Sequence, residues 1–156
     1  MNLACLHGRT EIVQLLINSS KDFGIDLNAR DSLGRTVSHF AYKDGKNEII
    51  KLLIKFSKDF SIDWNARDIH GLTPLHVACK LGRISAVQLV AKNWKEHRIN
   101  IKAKCNKGRT PLDLAKDNIH NSQFSNNYYA NHIIIEILKI EYSKMDAQND
   151  YIINLQ

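Results

Sequence analysis

The sequence contains no apolar run of the roughly 20 residues that a membrane-spanning helix requires. Its N-terminus has no basic segment followed by an apolar run and a small-residue cleavage site, the pattern of a secretory leader. Disorder is not indicated either, because 44% of the residues are apolar and 24% are charged, as in ordinary globular proteins. We therefore expect neither a membrane span nor secretion.

Cysteine is scarce, and metal-binding spacings are missing. The chain has three cysteines, and it contains no Cys-x2-Cys or His-x3-His pair with a compensating second pair. Cys5 and Cys79 lie two periods of an internal repeat apart, at a position that suits a small buried side chain. The sequence predicts no metal site, and it predicts reduced thiols in a cytosolic or nuclear compartment.

Signals for nucleotides and nucleic acids are also missing. The seven glycines are solitary, so there is no glycine-rich phosphate loop. The net charge is +6, but Lys and Arg are mixed with Asp and Glu, and no basic run is interleaved with aromatic residues. We expect no cofactor, no small-molecule substrate and no nucleic-acid partner.

One pair of residues invites a test for catalysis. Ser38 and His39 are adjacent, but neighbouring helical positions point in different directions, so the pair is a poor dyad. The sequence predicts no catalytic residue and a protein that is not an enzyme.

What the sequence does contain is an internal repeat. The segment Ser-Lys-Asp-Phe-x-Ile-Asp-x-Asn-Ala-Arg-Asp occurs twice, at residues 20–31 and 57–68. The same lag of 37 residues relates Ala4, Ala41, Ala78 and Ala115. Self-similarity at this period indicates stacked supersecondary units rather than a single globular fold.

The third unit shows the anatomy of the repeat most clearly. Asp68-x-x-Gly71 predicts a turn, since Asp can bond its own backbone and Gly tolerates positive φ. Thr73 can cap a helix whose first residue is Pro74, and Gly82 can end that helix with a left-handed residue. Ile and Val at helical spacing from residue 84 to residue 90 predict a second, antiparallel helix.

These residues resemble the ankyrin repeat, with its Asp-x-x-Gly-x-Thr-Pro-Leu-His-x-Ala signature and its Ile/Val-rich second helix. The resemblance implies an all-α solenoid of stacked helix-turn-helix units joined by β-hairpin-like loops. It also implies that His39 and His76 are structural and bond the backbone of the adjacent hairpin. The family period is about 33 residues, so we expect the extra residues in longer loops at 18–26, 55–63 and 93–100.

Two units depart from the pattern. In unit two, Val37 and Ser38 replace Pro and Leu, and Ser38 underfills a core position that Phe40 can help to occupy. In unit four, Asp113 stands where the family has His, and a polar insertion within residues 118–131 displaces the second helix.

The anchors predict an ankyrin-repeat domain over residues 1–142, followed by a polar C-terminal tail at 143–156 that frays. The domain divides into a partial repeat at 1–26 and repeats at 27–63, 64–100 and 101–142. Because Met1 falls inside the first helix of a unit, we also expect a truncated gene product or a fragment of a longer array.

The resemblance further implies that partners bind to the hairpin tips and to exposed positions of the first helices. Apolar residues bordered by Arg are typical of binding hot spots. The candidate partner-binding residues are Leu33, Arg35, Lys43, Arg67, Ile69, His70, Leu72, Lys80, Leu81, Lys107 and Arg109.

The sequence thus predicts a non-catalytic module that binds a partner protein of acidic or mixed charge. The main alternative is a targeting or adaptor segment of a longer enzyme, channel or ubiquitin-ligase adaptor. A further alternative is a stand-alone inhibitor similar to ankyrin-type inhibitors of transcription factors, which rests on fold analogy alone.

Overall fold

A computed structural model describes residues 1–121 and 126–153, and these residues form α-helices and no strand. The helices are α1 (Asn2–Leu6), α2 (Thr10–Asn18), α3 (Ser20–Phe23), α4 (Val37–Lys43), α5 (Asn47–Phe60), α6 (Pro74–Lys80), α7 (Ile84–Asn93), α8 (Pro111–Asn121) and α9 (Asn126–Ile153). The predicted all-α fold class is confirmed.

The helices stack in two rows. The first helices of the units pack in the order α1, α4, α6 and α8, and the second helices pack in the order α2, α5, α7 and α9. Each second helix buries its apolar stripe between the rows, as Ile49 and Leu53 of α5 and Val87 of α7 show, all at 0% exposure. One contiguous core therefore runs the length of the solenoid.

Local signals start and stop the first helices as predicted. Thr73 is the N-cap of α6, its hydroxyl accepts a hydrogen bond from the His76 N–H, and Pro74 follows at the first helical position. Beyond the end of α6, Gly82 has φ 67°, a left-handed conformation that glycine adopts readily because it has no Cβ. The capping prediction is confirmed at both ends of this helix.

The extra residues of the period are not simply loop. In unit two they extend α5 by a further turn to Phe60, where Ser61 adopts φ 48° and ends the helix. In unit one they form the short helix α3. The prediction of a longer loop is therefore wrong in these two units. In unit two, Phe56 and Phe60 pack against the core, while polar residues such as Lys58 lie on the solvent side of the helix.

The insertion in unit four is also largely helical. It lengthens α8 to Asn121 and starts α9 at Asn126, well before the apolar run that begins at Ile133. Residues 122–125 of the predicted insertion lie outside the described residues.

The predicted tail continues α9 rather than leaving the fold at residue 143. The helix runs on to Ile153, Met145 packs against the core, and Lys102 pairs with Asp146. The expected fraying does not begin at residue 143, and residues 154–156 lie outside the described part of the chain. The domain limit at residue 142 itself stays a prediction.

Asparagine side chains also join consecutive units, because they form hydrogen bonds with backbone groups of the next unit. The Asn28 amide donates to the Ser61 carbonyl at 3.1 Å and accepts from the Asp63 N–H at 2.8 Å. One period later, Asn65 makes the same two bonds, to the Arg98 carbonyl and from the Asn100 N–H. These asparagines satisfy the backbone between units and fix the spacing of the stack.

A buried tyrosine and a half-buried one should respond oppositely to loss of the hydroxyl. Tyr42 is 1% exposed and its hydroxyl has no hydrogen-bond partner in the described part of the chain, whereas the Tyr142 hydroxyl donates to the Ile101 carbonyl at 2.8 Å. We expect Tyr42→Phe to raise the free energy of unfolding by about 1 kcal/mol and Tyr142→Phe to lower it by about 1 kcal/mol. Denaturant unfolding measures both, and a loss of stability in Tyr42→Phe would contradict the prediction.

The underfilled core position of unit two is buried. Ser38 is 0% exposed and its hydroxyl has no hydrogen-bond partner among residues 1–121 and 126–153, while Phe40 belongs to the core at 6% exposure. Unit two therefore carries unsatisfied hydroxyls on Ser38 and Tyr42, a cost that adds to the small side chain at this position.

Candidate functional site

The hairpin tips are tight turns with the same geometry in each full unit. In unit three the Asp68 N–H donates to the Leu72 carbonyl at 2.9 Å, and the Gly71 N–H donates to the Asp68 carbonyl at 2.8 Å. The Asp68 carboxylate also accepts the backbone N–H groups of His70 and Leu72. These bonds hold the side chains at residues 69 and 70 in fixed directions at the tip.

Each tip is then bonded to the next. The Ile69 N–H donates to the Leu33 carbonyl at 3.0 Å, and the Asn106 N–H donates to the His70 carbonyl at 3.1 Å. The Arg30 guanidinium adds a bond to the Arg67 carbonyl at 2.6 Å. The row of tips is therefore one continuous, rigid edge.

Buried histidines bind the first helices to this edge. His76 is 0% exposed, its Nδ1 accepts the Thr73 N–H at 3.1 Å, and its Nε2 lies 3.0 Å from the Arg109 carbonyl. His39 repeats the arrangement and reaches the Leu72 carbonyl at 2.9 Å. Burial lowers the pKa of both rings below 6.5, so each ring is neutral. Because Nδ1 accepts a backbone N–H in both, the proton is on Nε2. The structural role implied for these histidines is confirmed.

Two adjoining hollows lie between the tips and the first helices, and we refer to them together as the groove. The first has a volume of about 280 Å³, the second about 320 Å³, and His70, Leu72 and Lys80 line both. The first is also lined by Leu33, Arg35, Lys43, Asp68, Ile69, Val77 and Leu81, and the second by Cys105, Asn106, Lys107, Arg109 and Leu114.

The structure thus brings ten of the eleven candidate residues into the groove. Arg67 is the exception, because its guanidinium lies beside Asn106 at 3.5 Å and connects two tips instead. Val77 and Leu114 also line the groove, although they are not among the candidate residues. They occupy one repeat position 37 residues apart, so comparison of the units could have found them.

The groove combines exposed apolar side chains with positive charge. Leu33 is 42% exposed and Ile69 is 54% exposed, while Leu72 and Leu81 are half-buried. The Arg35 guanidinium is bound to Asp31 at 2.6 Å and lies over the Phe40 ring, and Arg109 is paired with Asp117. These two arginines are therefore held in place by groups of the protein itself.

Three lysines of the groove are not engaged in this way. Within the described residues, the ammonium groups of Lys43, Lys80 and Lys107 form no ion pair, and all three side chains are exposed. Among the described residues, Asp68 is the one carboxylate that lines the groove, and it is engaged with backbone N–H groups of its own turn. The groove therefore presents a net positive charge over an apolar surface.

A larger hollow of about 570 Å³ lies between α2 and α5, on the row of second helices, which we call the outer row. It is lined by apolar and oppositely charged side chains, including Leu15, Glu11 and Lys55, and Leu15 is 64% exposed. The charges of this hollow are mixed, whereas those of the groove are mainly positive.

The described residues offer little support for metal or membrane chemistry. Over residues 1–121 and 126–153, no three His, Cys, Asp or Glu side chains gather in a way that would hold a metal ion. No helix within those ranges combines the length and hydropathy needed to cross a bilayer.

The comparison with protein families agrees with the geometry. A family model described as ankyrin repeats (3 copies) matches residues 1–104 and 60–125, which together cover most of the chain. The chain belongs to the ankyrin-repeat family. Ankyrin repeats are generally protein-protein interaction modules and are typically non-catalytic. No curated protein matches the chain significantly.

Proposed function

We propose that this ankyrin-repeat protein binds a partner protein in the groove. The observation that carries the proposal is the association of exposed apolar side chains, Leu33 and Ile69, with lysines that have no ion pair in the described structure. Apolar anchors ringed by polar and charged groups are the composition of binding hot spots.

The rigidity of the surface supports the proposal. The tips are bonded to one another, and His39 and His76 fasten them to the helices, so little conformational freedom is left to lose on binding. A preorganised surface keeps more of its contact energy as affinity, because ordering costs are already met in the free protein.

We further propose a partner of acidic or mixed charge, located in the cytosol or nucleus. The groove lysines favour carboxylate groups opposite them, and electrostatic complementarity speeds association. The three cysteines are buried and unpaired, which supports a reducing compartment.

The test compares apolar-to-acidic changes on the two faces of the solenoid. Ile69→Asp places a negative charge in the groove, and Leu15→Asp places the same charge on the outer row. The two wild-type side chains have similar exposure, so the substitutions are comparable. We expect quantitative mass spectrometry after affinity capture to show proteins bound by wild type and Leu15→Asp but reduced at least tenfold by Ile69→Asp.

Circular dichroism and thermal unfolding must first show that both variants are folded. If Leu15→Asp loses the captured proteins and Ile69→Asp retains them, the outer hollow is the binding site and the proposal is wrong. Equal capture by all three proteins would also refute it.

A further inference from the structure

The unpaired lysines of the groove are arranged along the direction of stacking. Lys43 is the last residue of α4 and Lys80 is the last residue of α6, so the two hold the same place in consecutive units. Both line the first hollow, and Lys80 and Lys107 both line the second. A segment lying along the groove would therefore meet a cation beside each hollow.

The apolar surface follows the same direction. Leu33, Ile69 and Leu81 line the first hollow, Leu114 lines the second, and Leu72 is shared. Each hollow has the volume of about ten water molecules, taking about 30 Å³ for each. Each hollow can therefore hold an apolar side chain, and release of the water from the hollow favours binding of that side chain.

The backbone of the tips limits how a peptide can bind. A peptide that adds a strand to a sheet needs unpaired N–H and C=O groups along an edge. At the tips, the Ile69 N–H and the carbonyls of Leu33 and His70 are already bonded between neighbouring units. Side-chain contacts must therefore supply the affinity, which favours a conformation that needs no backbone partner.

Polyproline II is such a conformation, and its repeat fits the stack. It has three residues per turn and rises about 3.1 Å per residue, so every third side chain points the same way about 9 Å further along. Packed helices lie about 8–10 Å apart, which sets the distance from one unit to the next. One turn of polyproline II thus spans one unit of this protein.

We infer that the groove binds an extended acidic segment of its partner, in polyproline II conformation, with an apolar residue and a carboxylate recurring at every third position. The apolar residues enter the two hollows, and the carboxylates lie against Lys43, Lys80 and Lys107. This inference rests on the proposed function, because it names the chemistry of the partner at the same site. Nucleic acid is disfavoured because the hollows are apolar and bases stack on aromatic rings, whereas among the described residues His70 supplies the one aromatic ring that lines the groove.

Defined peptides test the inference without knowledge of the partner. The probe is a fluorescein-labelled peptide of four Leu-Glu-Pro repeats, measured by fluorescence anisotropy at low ionic strength, where exposed charges are least screened. The comparison peptides are four Leu-Lys-Pro repeats, which reverse the charge, and three Leu-Glu-Pro-Ser repeats, which change the period. We expect the Leu-Glu-Pro peptide to bind at least tenfold more tightly than either.

A matched pair of variants locates the binding. Lys80→Glu reverses a charge shared by both hollows, and Lys92→Glu makes the same change at an exposed residue on α7. We expect Lys80→Glu to weaken binding of the Leu-Glu-Pro peptide about tenfold more than Lys92→Glu does. Both side chains are exposed, so circular dichroism should show unchanged folding.

The outcomes separate the inference from the proposed function. Equal binding of the three peptides, or equal effects of the two variants, overturns the inference. Tighter binding of a labelled single-stranded oligonucleotide, lost in Lys80→Glu, overturns it in favour of nucleic acid. If the Leu-Glu-Pro peptide fails to bind while Ile69→Asp still loses captured proteins, the inference is wrong and the proposed function stands.

Discussion

Replacing Gly71 with alanine is expected to lower the free energy of unfolding by roughly 3 kcal/mol, by two effects that add. Gly71 has φ 72°, and a left-handed conformation costs a residue with a Cβ about 1–2 kcal/mol. An alanine Cβ would also lie 2.7 Å from the Asn106 backbone nitrogen, which is closer than real Cβ contacts allow. Because the Asn106 N–H is bonded to the His70 carbonyl, the neighbouring tip cannot move away freely.

Gly108 provides the matched control for this substitution. It has φ 70° at the same position of the next tip, but an added Cβ there would have no neighbour within 4 Å among the residues that the structure describes. We expect Gly108→Ala to cost only the backbone term, about 1 kcal/mol. Urea unfolding of both variants measures the two losses of stability. Equal losses would show that the contact between the tips adds nothing to the effect of Gly71→Ala.

Asn106→Ala in the Gly71→Ala background tests which atom is responsible. If the side-chain amide of Asn106 causes the clash, the double variant recovers most of the lost stability. We expect little recovery, since the backbone nitrogen remains in place. The unfolding transition should also broaden, because the weakened contact lies between units three and four and repeat arrays unfold unit by unit when such contacts fail.

The second large effect is expected from His76→Ala, which should lower the free energy of unfolding by roughly 3 kcal/mol at pH 7.5. His76 accepts the Thr73 N–H and donates to the Arg109 carbonyl, and the site is fully buried. Alanine would leave a helix N-terminus and a carbonyl of the next tip without a partner, and it would also leave a cavity. Exposed His70 is the control, and His70→Ala should change stability by less than about 0.5 kcal/mol.

The pH dependence distinguishes this hydrogen-bonded role from simple packing. Burial lowers the pKa of His76 in the folded state, so the unfolded chain binds more protons below pH 6.5. Its stabilising contribution is therefore complete above pH 6.5 and is lost as the pH falls below that value. We expect the difference in free energy of unfolding between wild type and His76→Ala to become smaller from pH 7 to pH 5.5. A difference that does not change with pH would contradict a neutral, hydrogen-bonded ring.

Asp113 shows how unit four keeps part of this arrangement with a different residue. Its carboxylate accepts the Thr110 N–H at 2.9 Å and the Thr110 hydroxyl at 2.8 Å, so the cap of α8 is retained. Asp is shorter than His and, when ionised, has no proton to donate to a carbonyl. The substitution therefore preserves the local cap and gives up the bond that His39 and His76 make to a neighbouring tip.

The sequence by itself determined the repeat unit, its caps and turns, and most of the groove. Thr73 and Pro74 start a helix, Gly82 follows its end and Asp68 closes a tip, because each signal acts through bonds within a few residues. Once the units are aligned, residues at one repeat position lie on one face. The ankyrin resemblance implied that partners bind to the tips and first helices, and the alignment of the units then gave the candidate residues at those positions.

Only the tertiary structure decided the path of the additional residues and the state of the charged groups. Stretches of mixed polarity such as residues 55–60 are compatible with both loop and helix, and packing of Phe56 and Phe60 against the core selected the helix. The sequence could not show that Arg67 connects two tips, that Arg35 and Arg109 are paired, or that Lys80 is not. Those differences depend on distances between units, which the stacking sets and no single unit contains.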